Sequence, residues 1–115
     1  MLNSMMAARA YSASAAHRSL RDQEADIFRQ ANAILRKGRS QGATAKTKAL
    51  ADNGRLWMAV IDLLRDPDNA LPDGLRAAII SVGLAVQREM ERPSPDFDFL
   101  ISVNDNIAAG LAGQP

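Results

Sequence analysis

The stretch "LPDGLRAAIIS", Leu71–Ser81, decides the fold because it starts a helix and then remains apolar. Pro72 suits the first position of a helix, and Asp73 stabilises the positive end of the helix dipole. The apolar character continues to Val86. A helix that is apolar around most of its circumference usually packs on several sides. We therefore predict that this helix is the centre of a bundle, unless one side is an open groove for a partner.

The rest of the chain also has the pattern of helices separated by glycine and proline breakers, without a strand. Each helix carries apolar residues at three- and four-residue spacing, and in the first long helix these are Ile27, Ala31 and Ile34, flanked by Phe28 and Leu35. Gly38 is predicted to end that helix in the left-handed conformation. The further predicted helices span about Thr44–Arg65, Pro72–Met90 and Asp96–Ala112.

Together these patterns predict an all-α fold, a small single-domain bundle of about five helices. Residues 1–18 are expected to form a short helix or to be partly disordered, and residues 19–112 to form the helical domain. The longest apolar patch is well short of the roughly 20 residues that span a bilayer. The sequence therefore predicts no membrane segment, and the absence of cysteine favours a reducing compartment.

Two asparagines lie within apolar stripes. Asn53 shares a helix face with Trp57, and Asn104 lies in the stripe of the last helix. A buried amide without a partner costs about 1–3 kcal/mol. Each asparagine therefore either forms hydrogen bonds between helices, which fixes their register, or contacts a partner protein. Trp57 is likewise either an anchor of the core or part of an interface.

Charge is distributed unevenly, although the net charge is only +1. Residues 1–50 hold nine Lys and Arg against three acids, or +6, whereas residues 51–115 hold five against ten, or −5. The basic half either pairs with the acidic half of the same chain or attracts nucleic acid. Possible RNA-contacting residues are Arg36, Lys37 and Arg39, although no aromatic residues are interleaved with them for base stacking.

Side chains suited to catalysis or metal binding are scarce. His17 is the only histidine, so a histidine-dependent triad or metal cluster cannot form. Asp62, Asp66 and Asp68 are close in sequence but lack the glycine and terminal glutamate of a calcium loop. We therefore predict that the protein is not an enzyme and that it uses no cofactor and no metal.

Three motifs resemble those of one protein family. "NGRLW" (Asn53–Trp57), "NALPDGLRAAIIS" (Asn69–Ser81) and "VNDNIAAGL" (Val103–Leu111) are similar, in order and spacing, to the FlaF family of flagellar biosynthesis regulators. The resemblance covers about residues 45–112, and the part before it fits the family more loosely.

The resemblance implies a small, cytoplasmic, non-enzymatic helper of flagellum assembly in Alphaproteobacteria. Members are implicated in flagellin production and export, together with flagellin itself and with FlbT, a companion regulator of flagellin messenger RNA. The expected function is that of a flagellin-binding chaperone or adaptor that supports flagellin synthesis and secretion, and hence motility. The alternative is a post-transcriptional regulator that contacts flagellin messenger RNA directly through its basic N-terminal half.

For the first function we expect an apolar groove that receives an amphipathic helix of flagellin. The predicted groove uses the surplus apolar face of the helix that follows Leu71, joined by residues near Trp57. The sequence leaves open whether this face is instead buried in a homodimer. The predicted partner-binding residues are Asn53, Trp57, Leu71, Leu75, Ile80, Leu84 and Asn104.

Overall fold

The computed structural model describes residues 23–113. It contains α1 (residues 23–38), α2 (Ala43–Arg65), α3 (Asp73–Met90) and α4 (Phe97–Leu111). These described residues form no strand, so the all-α prediction is confirmed. Five helices were predicted and the described residues form four; the additional helix predicted within residues 1–18 lies outside them. None of the helices in this range combines the length and the apolarity needed to cross a bilayer.

The first two helices run antiparallel in close contact. Near the start of α1, the edge of the Phe28 ring meets the Trp57 ring, with centroids 5.7 Å apart and planes at 65°. At the other end of α1, Gly38 lies against Ala45 and Ala49 near the start of α2. These two contacts fix the direction of α1 along α2.

Gly38 allows this close approach and does not act as the left-handed stop predicted for it. It belongs to the last turn of α1, and the glycine with positive φ between α1 and α2 is Gly42 (φ 98°), which precedes the first residue of α2. A Cβ atom built on Gly38 would lie 2.9 Å from both the Ala45 carbonyl oxygen and the Ala49 Cβ. Glycine is therefore needed here for space between two helices.

We expect Gly38→Ala to lower the free energy of unfolding by about 1–3 kcal/mol, the usual cost of overpacking. The added methyl would press on backbone and Cβ atoms that cannot rotate away, which outweighs the gain of about 1 kcal/mol in helix propensity. Urea denaturation followed by circular dichroism measures the change. The matched control is Gly74→Ala in α3, where no atom lies within 4 Å of the new Cβ. A gain in stability at Gly38 equal to that at Gly74 would contradict the packing argument.

Polar side chains of the motif Asn69–Ser81 hold α2 and α3 together at the loop that joins them. The Asn69 amide donates a hydrogen bond to the carbonyl oxygen of Leu63 at 3.1 Å. The Arg76 guanidinium donates to the carbonyl oxygens of Leu64 at 3.4 Å and Asp66 at 3.0 Å. Carbonyls at the end of a helix have no partner within the helix itself, so these side chains satisfy the end of α2.

Helix α2, and not α3, is the centre of the described bundle. In α3 only Gly83 and Val86 are buried, and Gly83 lets the helix approach Ile61 and Trp57 closely. The prediction that α3 is central is therefore wrong. The buried residues of α2 are Ala49, Asn53, Trp57, Ile61 and Leu64.

The buried face of α1 also differs from the prediction. Ile27 and Ile34 are 51% and 41% exposed, although their spacing predicts a core stripe. Ala31 of that stripe is buried, as predicted. Phe28 and Leu35, which flank the predicted stripe, are buried together with Ala25 and Asn32 on the side that faces α2 and α4.

Candidate functional site

A chain of hydrogen bonds between side chains joins three helices in the core. Trp57 Nε1 donates to Asn104 Oδ1 at 2.9 Å, and Asn104 Nδ2 donates to Asn53 Oδ1 at 2.8 Å. Asn53 Nδ2 in turn contacts Met90 Sδ at 3.5 Å. Trp57, Asn53 and Asn104 are at most 1% exposed. These bonds fix the register of α2, α3 and α4 relative to one another.

Asn53 and Asn104 were expected either to bond between helices or to contact a partner. In this network both form hydrogen bonds between helices. Asn53, Asn104 and Trp57 are enclosed, so none of them presents a surface to a partner in this structure. They are therefore core residues, and they are too deeply buried in this structure to contact a partner as predicted. Their effect on any binding surface is to position the helices that carry it.

A third buried asparagine, Asn32, has the same role between α1 and α4 and was missed. Its Nδ2 donates to the Ile101 carbonyl oxygen at 2.9 Å and to Asp105 Oδ1 at 2.7 Å. Its Oδ1 is buried and has no hydrogen-bond partner in the part of the chain that the structure describes. Asn32 lies four residues after Phe28 and three before Leu35. It therefore shares a helix face with apolar residues, which is the same pattern that indicated a buried Asn53.

Two of the three possible RNA-contacting residues are engaged with acids of α4. Arg36 Nη2 lies 2.9 Å from Asp105 Oδ2, and Arg39 is paired with Asp98. Lys37 is exposed and, with Lys48, lines a shallow groove between α1 and α2. The basic first half and the acidic second half of the chain thus pair with each other at these positions.

The four apolar residues predicted for the partner groove do not form one surface. Leu75 and Leu84 are 47% and 36% exposed, whereas Leu71 and Ile80 are half-buried. Nine residues separate Leu75 from Leu84, which at about 100° per residue places them on opposite sides of α3. Ile80 shares the side of Leu84, and Leu71 lies in the loop before the helix.

The side of α3 that carries Leu75 does form a surface, with residues that were not predicted. Val82 is on the same side seven residues later, and it is 37% exposed. Leu63 of α2 is 65% exposed, but it lies about 160° around α2 from Ile61, which contacts Gly83 of α3, so it faces away from α3. We call Leu75 and Val82 of α3, with the half-buried Ile79 of α3 and Val60 of α2, the tip face.

Val60 and Ile79 place the tip face beside the core. Both pack against the buried cluster that includes Trp57. Leu75 precedes Ile79 by four residues and Val82 follows it by three, so both exposed residues adjoin a packed residue on the same side of α3. The tip face therefore extends the apolar surface of α3 from the core into solvent.

Acidic side chains surround the α2–α3 loop beside the tip face. Asp62, Asp66, Asp68 and Asp73 are all exposed. Asp66 Oδ1 accepts a hydrogen bond from the Asp68 backbone N–H at 2.9 Å, which stabilises the turn. Within residues 23–113, no group of three or more metal-ligating side chains is placed to hold an ion.

Comparison with known proteins identifies one family. The model of the family described as "Flagellar protein FlaF" matches residues 7–111. This range includes the three motifs and extends the resemblance through α1 and beyond it towards the N-terminus. No curated protein and no solved structure matches the chain.

Proposed function

The chain belongs to the FlaF family of flagellar proteins, whose model matches residues 7–111, and from this premise we propose that it is a chaperone or adaptor that binds flagellin. In this role it supports flagellin synthesis and secretion in the cytoplasm without catalysing a reaction. FlbT, the companion regulator implied by the family resemblance, is the second expected partner.

This proposal rests on the exposed apolar residues of the tip face. Flagellin's terminal segments are amphipathic helices, and their apolar sides require cover until the filament assembles. A groove between two helices receives such a segment through apolar anchors spaced along its length. Leu75 and Val82 supply exposed apolar side chains along one side of α3, and the half-buried Val60 of α2 packs against the same core cluster as Ile79, which lies between them. These residues are anchors of the kind that this mode of binding uses.

We expect Leu75→Ser combined with Val82→Ser to weaken flagellin binding at least about tenfold, which corresponds to about 1.4 kcal/mol. Both side chains are exposed, so the fold should tolerate the change and the loss should fall on the interface. Isothermal titration of purified protein with monomeric flagellin, alone and with FlbT present, measures the affinity.

The matched control is Leu84→Ser, which removes a similarly exposed leucine from the opposite side of α3. Its affinity for flagellin should equal that of the wild type, and circular dichroism should show all variants folded. Absence of flagellin binding by the wild-type protein, with and without FlbT, would reject the proposed function.

Direct contact with flagellin messenger RNA is less well supported as a function. Phosphate contacts need cations that are free to exchange their counterions. Arg36 and Arg39 are instead paired with Asp105 and Asp98 on α4. Specific retention of flagellin messenger RNA by the wild-type protein at low salt, without flagellin present, would favour the alternative.

A further inference from the structure

We propose that a groove between α1 and α2 is a second docking surface, which receives an acidic helix of a partner protein. We call it the lysine groove, and the residues that define it are Ile34, Lys37 and Gly38 of α1 with Ala45, Lys48 and Asp52 of α2. Lys48 precedes Val60 of the tip face by twelve residues, or about 18 Å along α2. The inference therefore goes beyond the proposed function, because it adds a surface that is separate from the tip face.

The floor of the lysine groove consists of small and apolar residues. Gly38 and Ala49 are buried and adjoin each other, since a Cβ atom on Gly38 would lie 2.9 Å from the Ala49 Cβ. Beside them Ile34 is 41% exposed. The groove has a volume of about 260 Å³, below the range of about 300–1,000 Å³ that is usual for small-molecule sites. It therefore suits one bulky apolar side chain of a docked helix.

The charge around the groove is positive. Residues 36–51 carry five Lys and Arg and no Asp or Glu, a net charge of +5. Arg36 and Arg39 pair with aspartates of α4. Lys37 and Lys48 take part in no ion pair within the part of the chain that the structure describes. These two lysines are therefore available to an acidic partner.

The two lysines also face the same space. Lys37 directly precedes Gly38, and Lys48 directly precedes Ala49, the residues that adjoin each other in the floor. Both lysines line the one groove. Two positive charges beside one groove repel each other, and carboxylates placed near them remove this repulsion. The geometry therefore favours an occupant with acids on both sides of its apolar anchor.

A protein helix suits the lysine groove better than a nucleic acid does. Asp52 also lines the groove, where its carboxylate pairs with Arg55. None of the described residues that line the groove is aromatic, so bases have no surface on which to stack. An apolar floor between two lysines matches instead a helix that presents one bulky apolar residue flanked by aspartate or glutamate.

Two designed helical peptides with the same leucine anchor test the charge preference. One carries glutamate on both sides of the anchor and the other carries lysine, and fluorescence anisotropy measures the binding of each to the full chain. We expect the glutamate peptide to bind at least about tenfold more tightly in about 50 mM salt, with a smaller ratio in about 300 mM salt, where the lysines are screened. Equal affinities, or tighter binding of the lysine peptide, would overturn the proposal.

Variants of the protein locate the preference. Lys37→Gln with Lys48→Gln should reduce it to about threefold or less, because the groove loses both unpaired charges. Both lysines are exposed and glutamine has a similar helix propensity, so the fold should be unchanged. Arg65→Gln with Arg88→Gln is the matched control, which removes the same charge from exposed positions outside the groove. An equal loss of preference in the two double variants would show a general attraction to basic residues and reject the groove.

The apolar contact has its own test. Ile34→Ser should weaken the binding of both peptides at least about threefold, because the anchor loses apolar surface to cover. Leu84→Ser, at a similarly exposed position of α3, should leave both affinities unchanged. Unchanged binding by the Ile34→Ser protein would contradict the placement of the anchor in the groove.

A photoreactive residue placed at Gln41, which is exposed and lines the groove, identifies the occupant in the full chain. Cross-linking to the glutamate peptide supports the proposal. Cross-linking only to a second copy of the chain, or to residues 1–22 of the same chain, would overturn it. Tighter binding of a single-stranded RNA than of the glutamate peptide would overturn it too.

This proposal and the proposed function fail in different ways. If the wild-type protein binds flagellin but the peptides show no charge preference, only the lysine groove is rejected. If the peptides show the preference but flagellin does not bind, with or without FlbT, the proposed function is rejected and the groove remains a site for an acidic helix.

Discussion

Replacing Trp57 with alanine is expected to lower the free energy of unfolding by about 3–5 kcal/mol. The side chain is completely buried, contacts the Phe28 ring and lies close against Gly83. Its removal leaves a large cavity at the junction of α1, α2 and α3 and deprives Asn104 of its donor. Total stabilities of small domains are about 5–15 kcal/mol, so this variant should be close to unfolding.

Urea denaturation followed by circular dichroism measures this loss. Trp57→Phe is a second variant that stays folded: it keeps most of the volume and loses the N–H donor, at an expected cost of about 1–3 kcal/mol. Met58→Ala is the control, because the neighbouring Met58 is 58% exposed and should change stability by less than about 0.5 kcal/mol. A Trp57→Ala protein as stable as the Met58→Ala protein would be incompatible with the central position of Trp57.

The second large effect is expected for Asn104→Leu, which removes both bonds at the centre of the polar network. Trp57 Nε1 would lose its acceptor and Asn53 Oδ1 its donor. Each unpaired buried group costs about 1–3 kcal/mol, so the free energy of unfolding should fall by about 2–6 kcal/mol. Urea denaturation of the variant gives the value directly.

A double-mutant cycle with Asn53→Leu tests whether the two amides act together. Once Asn104 is replaced, Asn53 has lost its partner, so the second change should cost less than it does alone, by more than about 0.5 kcal/mol. Asn106→Leu is the matched control, since Asn106 lies two residues further along α4 and is exposed. Strictly additive effects of Asn53→Leu and Asn104→Leu would show that the amides stabilise the fold independently.

Helix positions and two of the three buried asparagines, Asn53 and Asn104, could be predicted from local features of the sequence. Proline and glycine breakers placed the described helices to within a few residues, because these residues act on the backbone at the position where they occur. An amide within an apolar stripe has few acceptable environments, which is why bonding between helices was foreseen for Asn53 and Asn104.

Which side of each helix is covered could not be read from the same features. In α1 the periodicity favoured Ile27 and Ile34, yet Asn32 is buried because Ile101 and Asp105, about 70 residues later, accept its amide protons. In α3 the stripe through Val82 has ideal core spacing, yet Leu75 and Val82 are exposed while Val86 is buried. Which side of a helix is buried depends on the length and direction of the helices packed against it. These are properties of the assembled bundle.

Because Trp57 is the only tryptophan and its indole N–H is bonded to Asn104 in the core, the protein contains a single tryptophan fluorophore, which lies at the junction of its helices. A partner that docks on the tip face without opening the bundle should leave the emission maximum unchanged. A shift to longer wavelength on binding would mean that water has reached the indole ring. Tryptophan emission thus separates surface docking from a mechanism in which the helices come apart to admit a partner.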